Sequence, residues 1–187
     1  MENSRNKVML HPELLEVLFA FRSKVSSVFR DVLGIHEIDH IAFTRINKHN
    51  QLLTLSSTPA MEFNLFSSSL WRYDITYTPA WFQLGQQDYW QNLYFPTRYD
   101  ELYYLKQIKH AYPIGLNLAA KIDEEYIIYS LASRRSCTHT RELFASQHED
   151  FYKIGQYCAN KLNPLLNTCD NFSTHHLPMQ VEYETSK

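Results

Sequence analysis

Long apolar runs, glycine and an excess of either charge are all scarce in this sequence of 187 residues. No stretch approaches the roughly 20 apolar residues that a membrane-spanning helix requires, and no apolar core of a secretory signal follows the polar start. The 18 basic and 20 acidic side chains give a formal net charge of −2, and no field that attracts polyanions follows from that balance. We therefore expect a folded protein that binds neither a membrane nor nucleic acid directly.

Cysteine is also sparse, and its number is odd. Cys137, Cys158 and Cys169 form no pairing or metal-binding motif, which is typical of free thiols in a reducing compartment. We expect a cytoplasmic protein on this ground. The sequence also lacks a glycine-rich phosphate loop and a nucleophile elbow, so no cofactor, metal site or catalytic residue is predicted.

Apolar residues recur at helical spacing in several segments. The first helix is predicted from about His11 to Leu33, where Gly34 follows the last apolar position. Thr58-Pro59 is suited to the start of a short helix, and Thr97 with Asp100 has the spacing of a capping box before another. A long helix is predicted after Thr138, with Pro164 near its end.

Two segments alternate with the period of a β-strand. Ile41 to Leu55 predicts one hairpin with a polar turn at residues 47–50, and Ile114 to Leu131 predicts a second that turns at Asp123-Glu124. Two hairpins can form one antiparallel sheet with helices on both faces, and we expect about five strands in all. The fold class is therefore mixed α/β (α+β), an α-β-α sandwich.

Aromatic residues are concentrated where this periodicity fails. Thirteen of them, including all three tryptophans, lie between Phe66 and Tyr104. Long irregular segments in a compact domain are often functional, and aromatic rings supply apolar area and hydrogen-bond donors to ligand pockets. The alternative is that these rings only complete a core.

Five stretches carry a family resemblance: GIHEIDHIAFTRI, LSSTPAMEF, WRYDI, YPIGLNLAAKI and IIYSLAS. Together they resemble the N-terminal autoinducer-binding domain of LuxR-type transcription regulators, over roughly Leu14 to Leu166. The resemblance implies a PAS/GAF-like domain with a pocket between the sheet and the middle helices. It also implies a sensor domain at residues 1–168, followed by a polar tail at residues 169–187.

The resemblance implies individual site residues. The family aspartate that contacts the ligand amide matches Asp74, the family tryptophan falls on Met61, and the family tyrosine falls on Ser57. A downstream aromatic matches Tyr89 or Trp90, and a family glycine matches Gly115. Combined with the aromatic segment, this predicts the following ligand-binding residues: Met61, Phe66, Trp71, Tyr73, Asp74, Tyr77, Trp81, Tyr89, Trp90 and Gly115.

Two departures from the family bear on ligand and output. A methionine at position 61 cannot donate a hydrogen bond, which argues against a classical homoserine lactone and favours another small, partly apolar ligand. The residues after Leu166 are too few and too polar for the helix-turn-helix domain that the family appends. We therefore expect a sensor that acts through protein contacts, as a homodimer or as a heterodimer with a full-length LuxR-type regulator.

Two other functions remain alternatives. A ligand-free interaction protein, such as an antagonist or a secreted effector, could use the same fold. The segment His36 to His40 matches the H-E-x-x-H pattern of zinc hydrolases. That pattern requires a helix that brings both histidines to one metal, whereas a strand beginning here would separate them by roughly 13 Å, so no enzyme is expected.

Overall fold

The central sheet has the strand order β1-β3-β2-β6-β5-β4 within residues 7–172, which are the residues that the computed structural model describes. The strands are β1 Met9–Leu10, β2 His40–Ile46, β3 Gln51–Ser56, β4 Gln87–Tyr89, β5 Ile114–Ile122 and β6 Glu125–Ser133. Neighbouring strands are antiparallel except for β1, which runs parallel to β3. The predicted mixed α/β class with a mainly antiparallel sheet is confirmed.

Both predicted hairpins are present. The first is β2–β3 and the second is β5–β6, and they join because β2 pairs with β6 in the middle of the sheet. The short edge strands β1 and β4 were not predicted, since two or three residues are too few to show alternation. Asp123, in the turn of the second hairpin, has a positive φ of 55°, a conformation that Asp tolerates better than most residues do.

The α-helices of the described residues are α1 Leu14–Val17, α2 Arg22–Arg30, α3 Pro59–Ser67, α4 Pro79–Phe82, α5 Tyr99–Tyr103, α6 Thr138–Ser146 and α7 His148–Phe172. A π-helical turn, Tyr104–Lys109, continues α5. The single first helix predicted from His11 to Leu33 is wrong. Phe21 adopts a left-handed conformation with φ of 54°, which separates α1 from α2.

The long helix predicted after Thr138 also differs from expectation. It consists of α6 and α7, which are separated at Gln147. Pro164 lies inside α7, and the helix continues to Phe172, so residues 169–172 of the predicted tail are helical. Residues 173–187 of that tail lie outside the described part of the chain.

One face of the sheet packs against α7. Phe43 and Tyr129 stack on this face with their ring centroids 6.5 Å apart, and Tyr152 of α7 meets Tyr129 edge-on. Gly155 makes this packing feasible, because a Cβ there would lie 2.3 Å from the Tyr129 ring. The close approach buries an aromatic layer between the sheet and the helix.

Arg45 of β2 ties the sheet to the end of α7. Its buried guanidinium donates to the side-chain oxygens of Asn163, Asn167 and Asp170 over 3.0, 2.5 and 2.6 Å, and to the carbonyl of Leu166 over 3.1 Å. Cations near a helix C-terminus are stabilising because the last carbonyls have no partner within the helix. Arg45 is therefore a structural residue of the fold.

The opposite face of the sheet is covered by α3, α4 and the aromatic segment. This segment, predicted to be loop-like, consists largely of short 3-10 turns together with α4 and β4. Asp74 caps one such turn by accepting a hydrogen bond from the backbone N–H of Thr76 over 3.1 Å. The aromatic side chains that this segment buries are those of Phe66, Trp71, Trp81, Phe82, Trp90 and Tyr94.

Candidate functional site

A groove of about 1260 Å³ lies between β1 and the aromatic segment. Four of the predicted ligand-binding residues line it, namely Trp71, Tyr73, Asp74 and Tyr77. The guanidinium of Arg72 lies 5.7 Å from the centroid of the Trp71 ring, and that of Arg98 lies 5.1 Å from the Tyr73 ring. The groove therefore has aromatic walls, nearby cationic groups and a carboxylate.

Asp74 is buried although it lines the groove, and a hydrogen-bonded partner of opposite charge stabilises it there. Lys106 donates a hydrogen bond from Nζ to Oδ2 of Asp74 over 2.8 Å, and the side chains are 4% and 1% exposed. The same ammonium lies 4.8 Å from the centroid of Trp90 and 5.3 Å from that of Tyr94. A buried charge pair of this kind is tolerable only because its members are hydrogen-bonded to each other.

Trp90 lies deeper, directly against the sheet. Its indole N–H donates to Oδ1 of Asn117 over 2.9 Å and to Oγ of Ser130 over 3.1 Å. Nδ2 of Asn117 in turn donates to the hydroxyl of Thr76 over 2.8 Å. Gly115 gives the indole its space, since a Cβ there would lie 2.0 Å from Cδ2 of Trp90. Two of the predicted site residues, Trp90 and Gly115, are thus in direct contact.

The remaining predicted residues do not line the groove. Met61, Phe66 and Trp81 are buried, and Tyr89 is half-buried on β4. The Phe66 ring lies 5.7 Å from Tyr77, so α3 supports the groove from behind. Their role in ligand binding remains a prediction.

A second polar cluster, which the sequence did not predict, adjoins the aromatic segment from the side of β2 and α3. His40 and Glu62 are both buried, and His40 Nε2 lies 3.6 Å from Oε1 of Glu62. Ser56 donates to the same oxygen over 3.5 Å. A charged residue at position 62, three and four residues before the apolar Leu65 and Phe66, was the available signal for this cluster.

Burial determines the charge states in this cluster. Burial, reinforced by the positive charge of Lys106, lowers the pKa of His40 to about 3. Burial raises the pKa of Glu62 to about 7 against the opposing effect of Lys106. His40 is therefore neutral near pH 7, so its contact with Glu62 is not an ion pair, and Glu62 is only partly ionised.

The H-E-x-x-H segment does not form a shared metal site in the structure. His36 lies in the short 3-10 turn Ile35–Glu37 and contacts Oδ2 of Asp150 over 2.9 Å. His40 begins β2, where its Nδ1 contacts Oγ1 of Thr58 over 3.0 Å. Within residues 7–172, no three His, Cys, Asp or Glu side chains are grouped so that they could hold a metal ion.

Comparison with known proteins identifies the fold. The sequence matches no protein-family model and no curated protein. The α+β sandwich is the fold of the autoinducer-binding domain of SdiA. SdiA in complex with octanoyl-rac-glycerol aligns with a TM-score of 0.51 and 11% identity, over 81% of this chain and 63% of that chain. A crystal structure of Escherichia coli SdiA aligns with a TM-score of 0.49 and 12% identity, over 87% of this chain and 67% of that one.

At 11–12% identity the likeness to SdiA is one of fold, and the chain spans about two thirds of the length of the SdiA chains. Among the described residues, none of the helices has both the length and the apolar character that crossing a bilayer requires.

Proposed function

We propose that this chain is a small-molecule-binding regulatory domain of the kind found in LuxR-type regulators. The observation that carries this proposal is the groove of about 1260 Å³ with Asp74 in its aromatic wall. Ligand sites are typically concave and mostly apolar, with a few polar groups that fix orientation. Trp71, Tyr73 and Tyr77 provide the apolar walls, and Asp74 provides the orienting group.

The ligand in this proposal is a small molecule with an apolar chain and a polar end. The carboxylate of Asp74 can accept a charge-assisted hydrogen bond from an amide or hydroxyl of the ligand. The fold shared with SdiA, which has been solved with octanoyl-rac-glycerol, supports a ligand of this size and character.

The output that we propose is a protein contact, with a second copy or with a full-length LuxR-type regulator, and no catalytic step. The formal net charge of −2 gives little support for direct nucleic-acid binding. Phe19 and Phe63 are partly exposed and meet edge-on at 5.8 Å, and exposed aromatic residues of this kind are common in protein interfaces.

Blocking the groove tests the proposal. We expect 1-octanoyl-rac-glycerol to bind the full chain saturably in isothermal titration calorimetry. Ala80 lines the groove and is exposed, so Ala80→Trp should fill it and weaken binding at least tenfold. Ala145 is exposed on α6, and Ala145→Trp is the matched control that should bind as the wild type does. Equal binding by both variants, or no saturable binding to the wild type, would contradict the proposal.

A ligand-free interaction protein is the second candidate, and the packing of Trp90 favours it. The indole is fully buried against Gly115 and has two hydrogen-bond acceptors within the protein. An interior filled by its own tryptophan needs no ligand. This function would be favoured if apolar probes fail to bind while light scattering detects a specific complex with a second copy or with a LuxR-type regulator.

A further inference from the structure

His40 and Glu62 form a polar corner with an unused hydrogen-bonding position. His40 is the first residue of β2 and Glu62 lies on α3, and Nε2 of His40 is 3.6 Å from Oε1 of Glu62. That distance is too long for a hydrogen bond, and within residues 7–172 Nε2 has no hydrogen-bond partner although the side chain is fully buried. Buried polar atoms in proteins are nearly always hydrogen-bonded, so this atom points to a binding partner.

The other ring nitrogen of His40 is already engaged. Nδ1 contacts Oγ1 of Thr58 over 3.0 Å, and the same oxygen contacts the hydroxyl of Tyr112 over 2.8 Å. The hydrogen bonds that link His40, Thr58 and Tyr112 can point in either direction. If Thr58 donates to Nδ1, then Nε2 carries a proton and donates; if Nδ1 donates to Thr58, then Nε2 accepts.

The corner lies behind the wall of the groove. Tyr77 lines the groove, and burial together with the charges of Glu62 and Asp74 raises its pKa well above the ordinary value. The Tyr77 ring also lies 5.7 Å from that of Phe66, which follows Glu62 by one turn of α3, so Glu62 belongs to the helix directly behind the groove wall.

We propose that the His40–Glu62 corner binds a hydroxyl group in the head of the ligand, so that the ligand is a neutral acyl ester of a polyol. This inference rests on the proposed ligand-binding function. One hydroxyl oxygen can lie about 2.8 Å from both Nε2 and Oε1, since these atoms are 3.6 Å apart. A hydroxyl group both donates and accepts, so it can pair with Nε2 of His40 whether or not that nitrogen carries a proton.

Other head groups suit this corner less well. A lactone ring offers only acceptors, so it can accept from protonated Glu62 but cannot donate to the ionised carboxylate. A cationic amine would be repelled by the ammonium of Lys106, whose charge acts on both His40 and Glu62. The chemistry of the corner therefore selects a neutral group that carries both a donor and an acceptor.

Two probes that differ only in their hydroxyl groups provide the test. We would titrate the full chain with 1-octanoyl-rac-glycerol and with propyl octanoate, which has the same ester skeleton without the hydroxyls. We expect the wild type to bind the glycerol ester about tenfold more tightly, the equivalent of about 1.4 kcal/mol. Equal affinities would overturn the head-group inference and leave the proposed binding function standing, whereas the absence of binding to either probe would overturn both.

Variants at position 62 complete the test. Glu62→Leu should remove the preference for the glycerol ester and leave the affinity for propyl octanoate within about twofold, because a leucine neither donates nor accepts. Glu62→Gln should retain most of the preference, since its amide can still hydrogen-bond a hydroxyl. Glu142→Leu, at an exposed position of α6, is the control. An unchanged preference in Glu62→Leu would overturn the inference, and the probe comparison in the wild type holds even if that variant does not fold.

Discussion

Lys106 and Asp74 are joined by a 2.8 Å hydrogen bond although 32 positions separate them in the chain. The pair links the π-helical turn after α5 to the 3-10 turns of the aromatic segment. Because Asp74 also lines the groove, the pair fixes the position of a groove-lining carboxyl group.

Removing one member of this pair should destabilise the protein strongly. Asp74→Asn leaves the buried ammonium of Lys106 without its carboxylate partner, so we expect a loss of about 3–5 kcal/mol in the free energy of unfolding. Urea denaturation followed by circular dichroism measures this loss.

Two comparisons make that prediction specific. The double variant Asp74→Leu with Lys106→Met should recover part of the loss, because no unpaired charge remains buried. Glu101→Gln breaks the ion pair with Arg98, whose members are 54% and 35% exposed, and should leave the urea midpoint nearly unchanged. If Asp74→Asn were as stable as the wild type, the buried pair would not exist in solution.

The raised pKa of Glu62 predicts a pH-dependent effect of Glu62→Gln. Burial raises this pKa from 4.5 to about 7, so the folded state holds the proton more tightly than the unfolded state does. The contribution of Glu62 to the free energy of unfolding should therefore decrease as pH rises from about 4.5 to 7, by up to about 3 kcal/mol. Glutamine does not titrate, so the stability of Glu62→Gln relative to wild type should increase between pH 5 and pH 8.

His40 acts in the opposite sense and does not obscure this measurement. Its pKa is lowered from 6.5 to about 3, so its contribution is present at neutral pH and is lost as pH falls through that range. Because both proteins contain His40, its contribution largely cancels in the difference between them. A difference in stability that stays constant from pH 5 to pH 8 would show that Glu62 is not buried as described.

The contact between Gly115 and Trp90 predicts a steric effect. Gly115→Ala would place a methyl group 2.0 Å from an indole carbon, and the strand or the ring must move. Overpacking of this kind costs about 1–3 kcal/mol, measurable by chemical denaturation. Combining it with Trp90→Leu should be less destabilising than the sum of the single effects, since the smaller side chain makes room. Strict additivity would contradict the contact.

The three thiols should differ in reactivity. Cys137 is exposed, and hydrogen bonding with Thr140 lowers its pKa, whereas burial raises the pKa of Cys158 to about 12 and also raises that of Cys169. Reactivity follows the thiolate, so a disulfide reagent should modify one thiol quickly in the folded protein. Cys137→Ser should abolish this fast phase. Three thiols that react equally fast would show that Cys158 and Cys169 of α7 are not buried in solution.

Local pattern predicted much of the fold. The alternation in Ile114 to Leu131 predicted β5 and β6, and Thr58-Pro59 predicted the start of α3, because side-chain periodicity and helix-start chemistry act over a few residues. The break at Phe21 escaped prediction, since apolar spacing continues through it and a left-handed residue other than glycine leaves no local signal.

The site could be predicted only in part. The concentration of aromatic residues indicated the segment that lines the groove, and Trp71, Tyr73, Asp74 and Tyr77 do line it. The partners of these residues could not be predicted, because Lys106 reaches Asp74 across 32 positions and Glu62 meets His40 only when α3 packs beside β2.

The sequence by itself therefore determined the order of helices and hairpins and the location of the aromatic segment, since both depend on neighbours along the chain. Only the tertiary structure decided which polar groups are buried together and which charge each carries. Burial sets the pKa of Glu62 and of His40, and burial is a property of the whole packed molecule.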